Sequence, residues 1–114
     1  MAYVPRNNAI VDKSFYFACK IVRYAEELKE KRYYEIANQI LKSGTSIGAN
    51  VRESQRGVSI KDFKNKLGIA LKEAEETEYW LDIIEETKIY PVPKGLYEDC
   101  NELMKLLVSI IKNS

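Results

Sequence analysis

The chain has 114 residues, 46% apolar and 31% charged, with 18 lysines and arginines against 17 aspartates and glutamates. That length and balance suit one soluble domain, and no apolar run approaches the roughly 18 residues of a membrane span or looks like a signal peptide. A cytoplasmic protein is expected. There is no histidine, so the commonest general base and metal ligand is missing, and neither an enzyme, a metal nor a cofactor is expected.

Met1 to about Asn8 reads as a frayed arm, with Pro5 opposing regular structure and Asn7 or Asn8 available to cap a helix. The first helix, over 9–29, carries Val11, Phe15, Ala18, Val22 and Ala25 on one seam, which Phe17, Ile21, Tyr24 and Leu28 widen. A short turn near Lys29 to Arg32 follows, because the apolar phase restarts at Tyr33, Ala37 and Ile40.

The second helix, over 33–56, is rich in poor or small helix residues, Ser43, Gly44, Thr45, Ser46, Gly48, Ala49 and Asn50. Each interior glycine costs roughly 1 kcal/mol against alanine. Ile40, Ile47 and Val51 keep their spacing through this segment, so a continuous helix is favoured over a loop, with another backbone approaching closely at Gly44 and Gly48. A phosphate-cradling loop fails on spacing. GTSIGAN lacks the lysine of a P-loop and the third glycine and leading strand of a dinucleotide site.

SQRGVS breaks the helix, with Gly57 placed as a left-handed cap. The third helix, over 59–89, shows an unbroken heptad seam of Phe63, Leu67, Ala70, Ala74, Thr77, Leu81, Ile84 and Lys88, with Ile60 one turn earlier. It spans about eight turns. Ser59 can cap it, and Asp62 places a carboxylate on the first turn. Ile69, Trp80 and Ile83 form a second apolar stripe. Tyr90-Pro91-Val92-Pro93 blocks continuation. The fourth helix, over 94–112, turns Leu96, Cys100, Leu103, Leu107 and Ile110 inward and carries an extra stripe of Met104, Val108 and Ile111.

Four amphipathic helices with short turns close most simply as an all-α, up-down-up-down four-helix bundle in a single domain. Its core cannot also bury Trp80, Ile83, Tyr97, Met104, Val108 and Ile111, and large apolar patches mark interfaces. A homo-oligomer is expected, although a different protein partner would satisfy the same surface. Cys19 and Cys100 fall on core positions and read as reduced small hydrophobes, a disulfide or reactive thiol being the alternative.

The net charge is only +1, but it is unevenly spread. In a bundle, residues 1–14, 49–66 and 105–114 gather at one pole with nine basic and three acidic side chains, net +6. Residues 26–35 and 78–99 gather at the other with five basic and ten acidic, net −5. Arg52, Arg56, Lys61, Lys64 and Lys66 bracket a turn at the basic pole and are the candidate contacts for nucleic-acid phosphates. The plainer reading is a solvated surface. Glutamates 73, 75, 76, 78, 85 and 86 do not make a ferritin-like metal site, which needs Glu-x-x-His pairs. Eight tyrosines are spread through the chain and make an unspecific stacking platform at most.

LKSGTSIGANVRES, the following SIKDFKNKLGIALKEAEETEYWL and the upstream KSFYFACKIV closely resemble the four helix bundle protein family, whose founding members are encoded in intervening sequences of 23S ribosomal RNA genes. The resemblance covers roughly residues 10–85. It implies an antiparallel bundle assembled as a homopentameric ring, and a ribosomal-protein label that rests on gene location. A related branch, the accessory variability determinant of diversity-generating retroelements, is a strongly basic pentamer that binds nucleic acid and a reverse transcriptase. This chain departs from that branch in its near-neutral balance.

Overall fold

The computed structural model describes residues 3–114; Met1 and Ala2, the first residues of the expected arm, lie outside the described residues. Four helices, α1 (Ala9–Glu30), α2 (Tyr34–Ser54), α3 (Ile60–Thr87) and α4 (Lys94–Lys112), make up the fold, and no strand occurs among the described residues. Each helix packs on its neighbours in sequence, and α4 closes on α1. Residue numbers rise on one helix as they fall on the next. Asn8 reaches Gln55 at 3.2 Å while the Ile21 side chain lies against Gly44. Likewise Lys66 reaches Glu53, Thr77 meets Ser43, and Tyr97 bonds Asp82.

The small residues of α2 lie inside one uninterrupted helix, and their purpose is proximity. A methyl group on Gly44 would stand 2.7 Å from Ile21 Cγ2, and one on Gly48 would stand 3.3 Å from the Ser14 carbonyl oxygen. Backbone approach between α1 and α2 therefore depends on both glycines. Across α2 and α3 the buried hydroxyls of Ser43 and Thr77 bond at 2.9 Å, which leaves the expected seam of Leu67, Ala70, Ala74, Leu81 and Ile84 buried around a satisfied polar pair.

Four expectations need correction. On α1 the inward row is Ile10, Phe17, Ile21, Tyr24 and Leu28, with Val11 and Ala25 beside it; Phe15 and Ala18 are half-buried and Val22 is 43% exposed. The row touching Gly44 and Gly48 points between α2 and α4, so Phe15 and Val22 are left on the outer side. Ile60 is 68% exposed, because the first turn of α3 stands beyond Ser54, the last buried residue of α2. Gly57 does not take a left-handed conformation. Instead α2 ends in tightened three-residue turns, Gln55 N–H to Arg52 O, Arg56 N–H to Glu53 O and Gly57 N–H to Ser54 O. Lastly, Lys88 is not on the α3 seam but caps that helix at φ 56°.

At the end of α1 the chain turns through Arg32 at φ 68°. Tyr33 N–H bonds Leu28 O and Arg32 N–H bonds Lys29 O, both at 2.9 Å, the paired closure of a Schellman motif with arginine where glycine is usual.

Candidate nucleic-acid interface

The α2–α3 turn and the start of α1 form one end of the molecule. Arg52 lies in the last turn of α2, Arg56 just beyond it, and Lys61, Lys64 and Lys66 in the first turns of α3. Ser59 caps α3 by accepting from Asp62 N–H at 3.1 Å, so the lysines are carried on a helix that starts at a defined residue. Asn8 Nδ2 donates to Gln55 Oε1 and ties the start of α1 to the same end. Ala9, Lys13, Lys105 and Ser109 border one shallow cleft, so the closing part of α4 adds its charge there too.

The five candidate cations are not equivalent. Lys66 Nζ donates to Glu53 Oε1 at 3.2 Å, so its charge is already partnered. Among the described residues, Arg52, Arg56, Lys61 and Lys64 make no ion pair with a carboxylate. Lys64 is half-buried and the other three are exposed. Of the three acids at this end, Glu53 and Asp12 are occupied, while the Asp62 carboxylate has no partner among the described residues. Besides Glu53, Asp12 accepts the Tyr3 hydroxyl at 2.7 Å and the Arg6 and Asn8 amides at 3.0 and 3.4 Å. The Arg6 amide bonds and the Tyr3 bond hold the Asp12 carboxyl below its ordinary value, and the same contact raises the Tyr3 phenol.

Residues 3–8 therefore do not fray as expected. Asp12 anchors them, and the Tyr3 ring stacks on Phe15 with centroids 3.9 Å apart and planes 13° apart. Asn8, rather than Asn7, caps α1. Arg52 Cζ lies 5.8 Å from the Phe15 centroid, a cation–π arrangement. Beside that ring, α1 and α2 enclose a cleft of about 430 Å³. Val11, Phe15 and Ala18 form one wall and Thr45, Gly48 and Ala49 the other, with Arg52, Glu53 and Arg56 at the end nearest the turn. Sequence reasoning missed this cleft; its signal was Phe15, an aromatic two positions away from the Phe17 row. Two aliphatic side chains also stand bare at this end, Val58 at 94% exposure beside Ile60.

The expected oligomer residues do not form one patch. Trp80 and Asp82, two residues apart, point to nearly opposite sides of α3. Trp80 shares its side with Ile69 and Ile83. Tyr97 donates to Asp82 at 3.1 Å, and Met104 and Val108 line a shallow cleft with Leu71, on the α4 side. Trp80, Tyr97, Met104 and Ile111 each pack partly on the core, so the surplus apolar surface is smaller than the sequence suggests. Val108 is half exposed, and the buried Trp80 Nε1 has no hydrogen-bond partner among the described residues.

At the opposite pole Tyr24 donates to Pro91 O at 2.9 Å and Tyr90 to Glu27 at 3.0 Å, fastening the α3–α4 connection to α1. Burial, then the Glu27 charge, raises the Tyr24 phenol. Both cysteines are free. Cys100 Sγ donates to Ala74 O, and burial pushes its thiol up to about 12, which keeps it protonated and inert. The acidic run of α3 gathers no group of three or more carboxylates or thiols able to hold a metal among the described residues. No described helix is long and apolar enough to cross a membrane.

Four α-helices with a cluster of cations around one inter-helix turn define a small all-α protein with a basic end. The chain belongs to the 23S rRNA-intervening sequence protein family, whose model matches residues 6–109. It is similar to a crystal structure of a protein of unknown function from the S23 ribosomal protein family of Bacteroides thetaiotaomicron. The two are 46% identical with a TM-score of 0.88, over 92% of this chain and 96% of that one. No curated protein matches the chain.

Proposed function

We propose that this protein is a non-enzymatic, cytoplasmic RNA-binding module that holds structured RNA, of the ribosomal kind its family name suggests, on its basic end. The observation that carries this reading is the group of cations Arg52, Arg56, Lys61 and Lys64 around a single turn, none in an ion pair among the described residues, where Glu53 and Asp12 are already engaged and Asp62 alone is an unengaged acid. Free cations on a fixed scaffold release counterions when they meet phosphates, which is the main source of such affinity. The path is an up-down-up-down bundle, supported by the contacts between neighbouring helices. A homopentameric ring, as the family resemblance implies, would set several basic ends side by side and multiply their field. Two separate apolar sets, Trp80 with Ile83 on α3 and Met104 with Val108 on α4, suit a ring, because head-to-tail contacts need two different surfaces on each copy.

A second reading is a scaffold or accessory subunit, for example to a reverse transcriptase, with no RNA binding of its own. The acidic pole and the same two apolar sets favour it. Replacing Arg52, Arg56 and Lys61 together by glutamate separates the readings. In fluorescence anisotropy with a structured ribosomal RNA fragment at low salt, the triple variant should lose affinity by more than about tenfold. Unchanged affinity would reject the RNA reading and leave the scaffold.

A further inference from the structure

We infer that the α1–α2 cleft receives one unpaired nucleotide of a bound RNA, its base against Phe15 and its phosphate on Arg52 and Arg56. This rests on the RNA-binding reading above and names the part of an RNA that the basic end selects. The cleft's volume of about 430 Å³ lies in the range of small-ligand sites, about 300–1,000 Å³. Its composition is that of a nucleotide's complement, apolar and aromatic along the walls and cationic at one end.

Phe15 is half-buried and is not needed by the core, whose α1 row runs through Phe17 and Ile21. One face of its ring is covered by the parallel Tyr3 ring at 3.9 Å, so the base meets Phe15 on the side that lines the cleft, where Arg52 and its guanidinium, 5.8 Å from the ring centroid, also stand. Unpaired bases stack on such aromatic and guanidinium planes. Arg52 and Arg56 form no ion pair among the described residues, while Glu53, the one carboxylate lining the cleft, is held by Lys66. A base inside a continuous duplex is stacked between its neighbours and cannot enter, so the ligand is a bulged, looped or terminal nucleotide.

Ala49 permits a clean test. It is exposed on a wall of the cleft, and leucine is a good helix former, so Ala49→Leu fills the space while every core and basic side chain is kept. Affinities are measured by anisotropy for a fully paired hairpin and for the same hairpin with one bulged nucleotide. The wild type should prefer the bulged RNA by about fivefold or more, the lower end of what stacking one base contributes. Ala49→Leu should erase that preference while binding the paired hairpin within about twofold of wild type, and Phe15→Leu should reduce it. No preference in the wild type, or a preference that survives Ala49→Leu, would overturn the inference. Dissociation of the Ala49→Leu oligomer in light scattering would also overturn it, marking the cleft as a contact between copies. If the triple glutamate variant binds both RNAs as tightly as wild type, the RNA reading itself has failed, and this inference with it.

Discussion

Gly44 is the residue on which the α1–α2 contact turns. An added methyl would lie 2.7 and 2.9 Å from the two γ-carbons of Ile21, a side chain with no exposure, and buried overpacking of this kind costs about 1–3 kcal/mol. Gly44→Ala should therefore lower the unfolding free energy by that amount, read in a urea titration as a lower midpoint at unchanged slope. Combined with Ile21→Ala it should destabilise less than the two single changes summed, since the pair shares one space. Strict additivity would show that the contact is not limiting. Arg32 makes the opposite case. At φ 68° it holds a left-handed conformation that strains any side chain bearing a β-carbon, so Arg32→Gly should stabilise the fold by about 0.5–1 kcal/mol in the same titration. The glycine spacing in α2 could be read beforehand because Ile40, Ile47 and Val51 kept helical phase around it. Arg32 could not be singled out, because nothing in a run of charged residues marks which one the turn forces into positive φ.

Among the elements, α1 shows where periodicity stops being informative. Two apolar rows, one through Phe15 and Val22 and one through Phe17 and Ile21, are both in helical phase. Only the positions of α2 and α4 decide that the second is buried. α3 carried one dominant heptad row, and that row is the buried one from Leu67 to Ile84, with Phe63 half-buried and the ends Ile60 and Lys88 outside it. The segment over residues 3–8 was misread because its anchor is a single side chain. Asp12 titrates below the ordinary aspartate value near 3.9. Its support for the docked arm is thus complete above that value and disappears as pH falls through the lowered folded pKa. Hydrogen exchange should show the Arg6 and Asn8 amides, which donate to Asp12, losing protection on acidification through that range. In Asp12→Ala they should be unprotected at neutral pH. Protection that persists in the variant would mean that the Tyr3–Phe15 stack alone holds the arm.

For the whole molecule, charge segregation was legible as soon as four helices could be folded back on one another, since counting residues by pole needs only topology. Which cations are free was not legible, because Lys66 finds Glu53 across 13 residues and the arm removes Asp12 from play. The cleft was hidden for a similar reason, as its walls come from two helices whose outward faces each look unremarkable alone. The most direct measurement of the central claim is the affinity for structured RNA across a salt series. Phosphate contacts give a log–log slope of about −0.7 to −0.9 for each one made, so engagement of Arg52, Arg56, Lys61 and Lys64 in one protomer predicts a slope near −3, and a steeper one for an oligomer presenting several ends to one RNA. That slope should collapse toward zero when Arg52, Arg56 and Lys61 become glutamate. A flat salt dependence in the wild-type protein, or a steep one that survives the charge reversal, would contradict the assignment of RNA binding to this end.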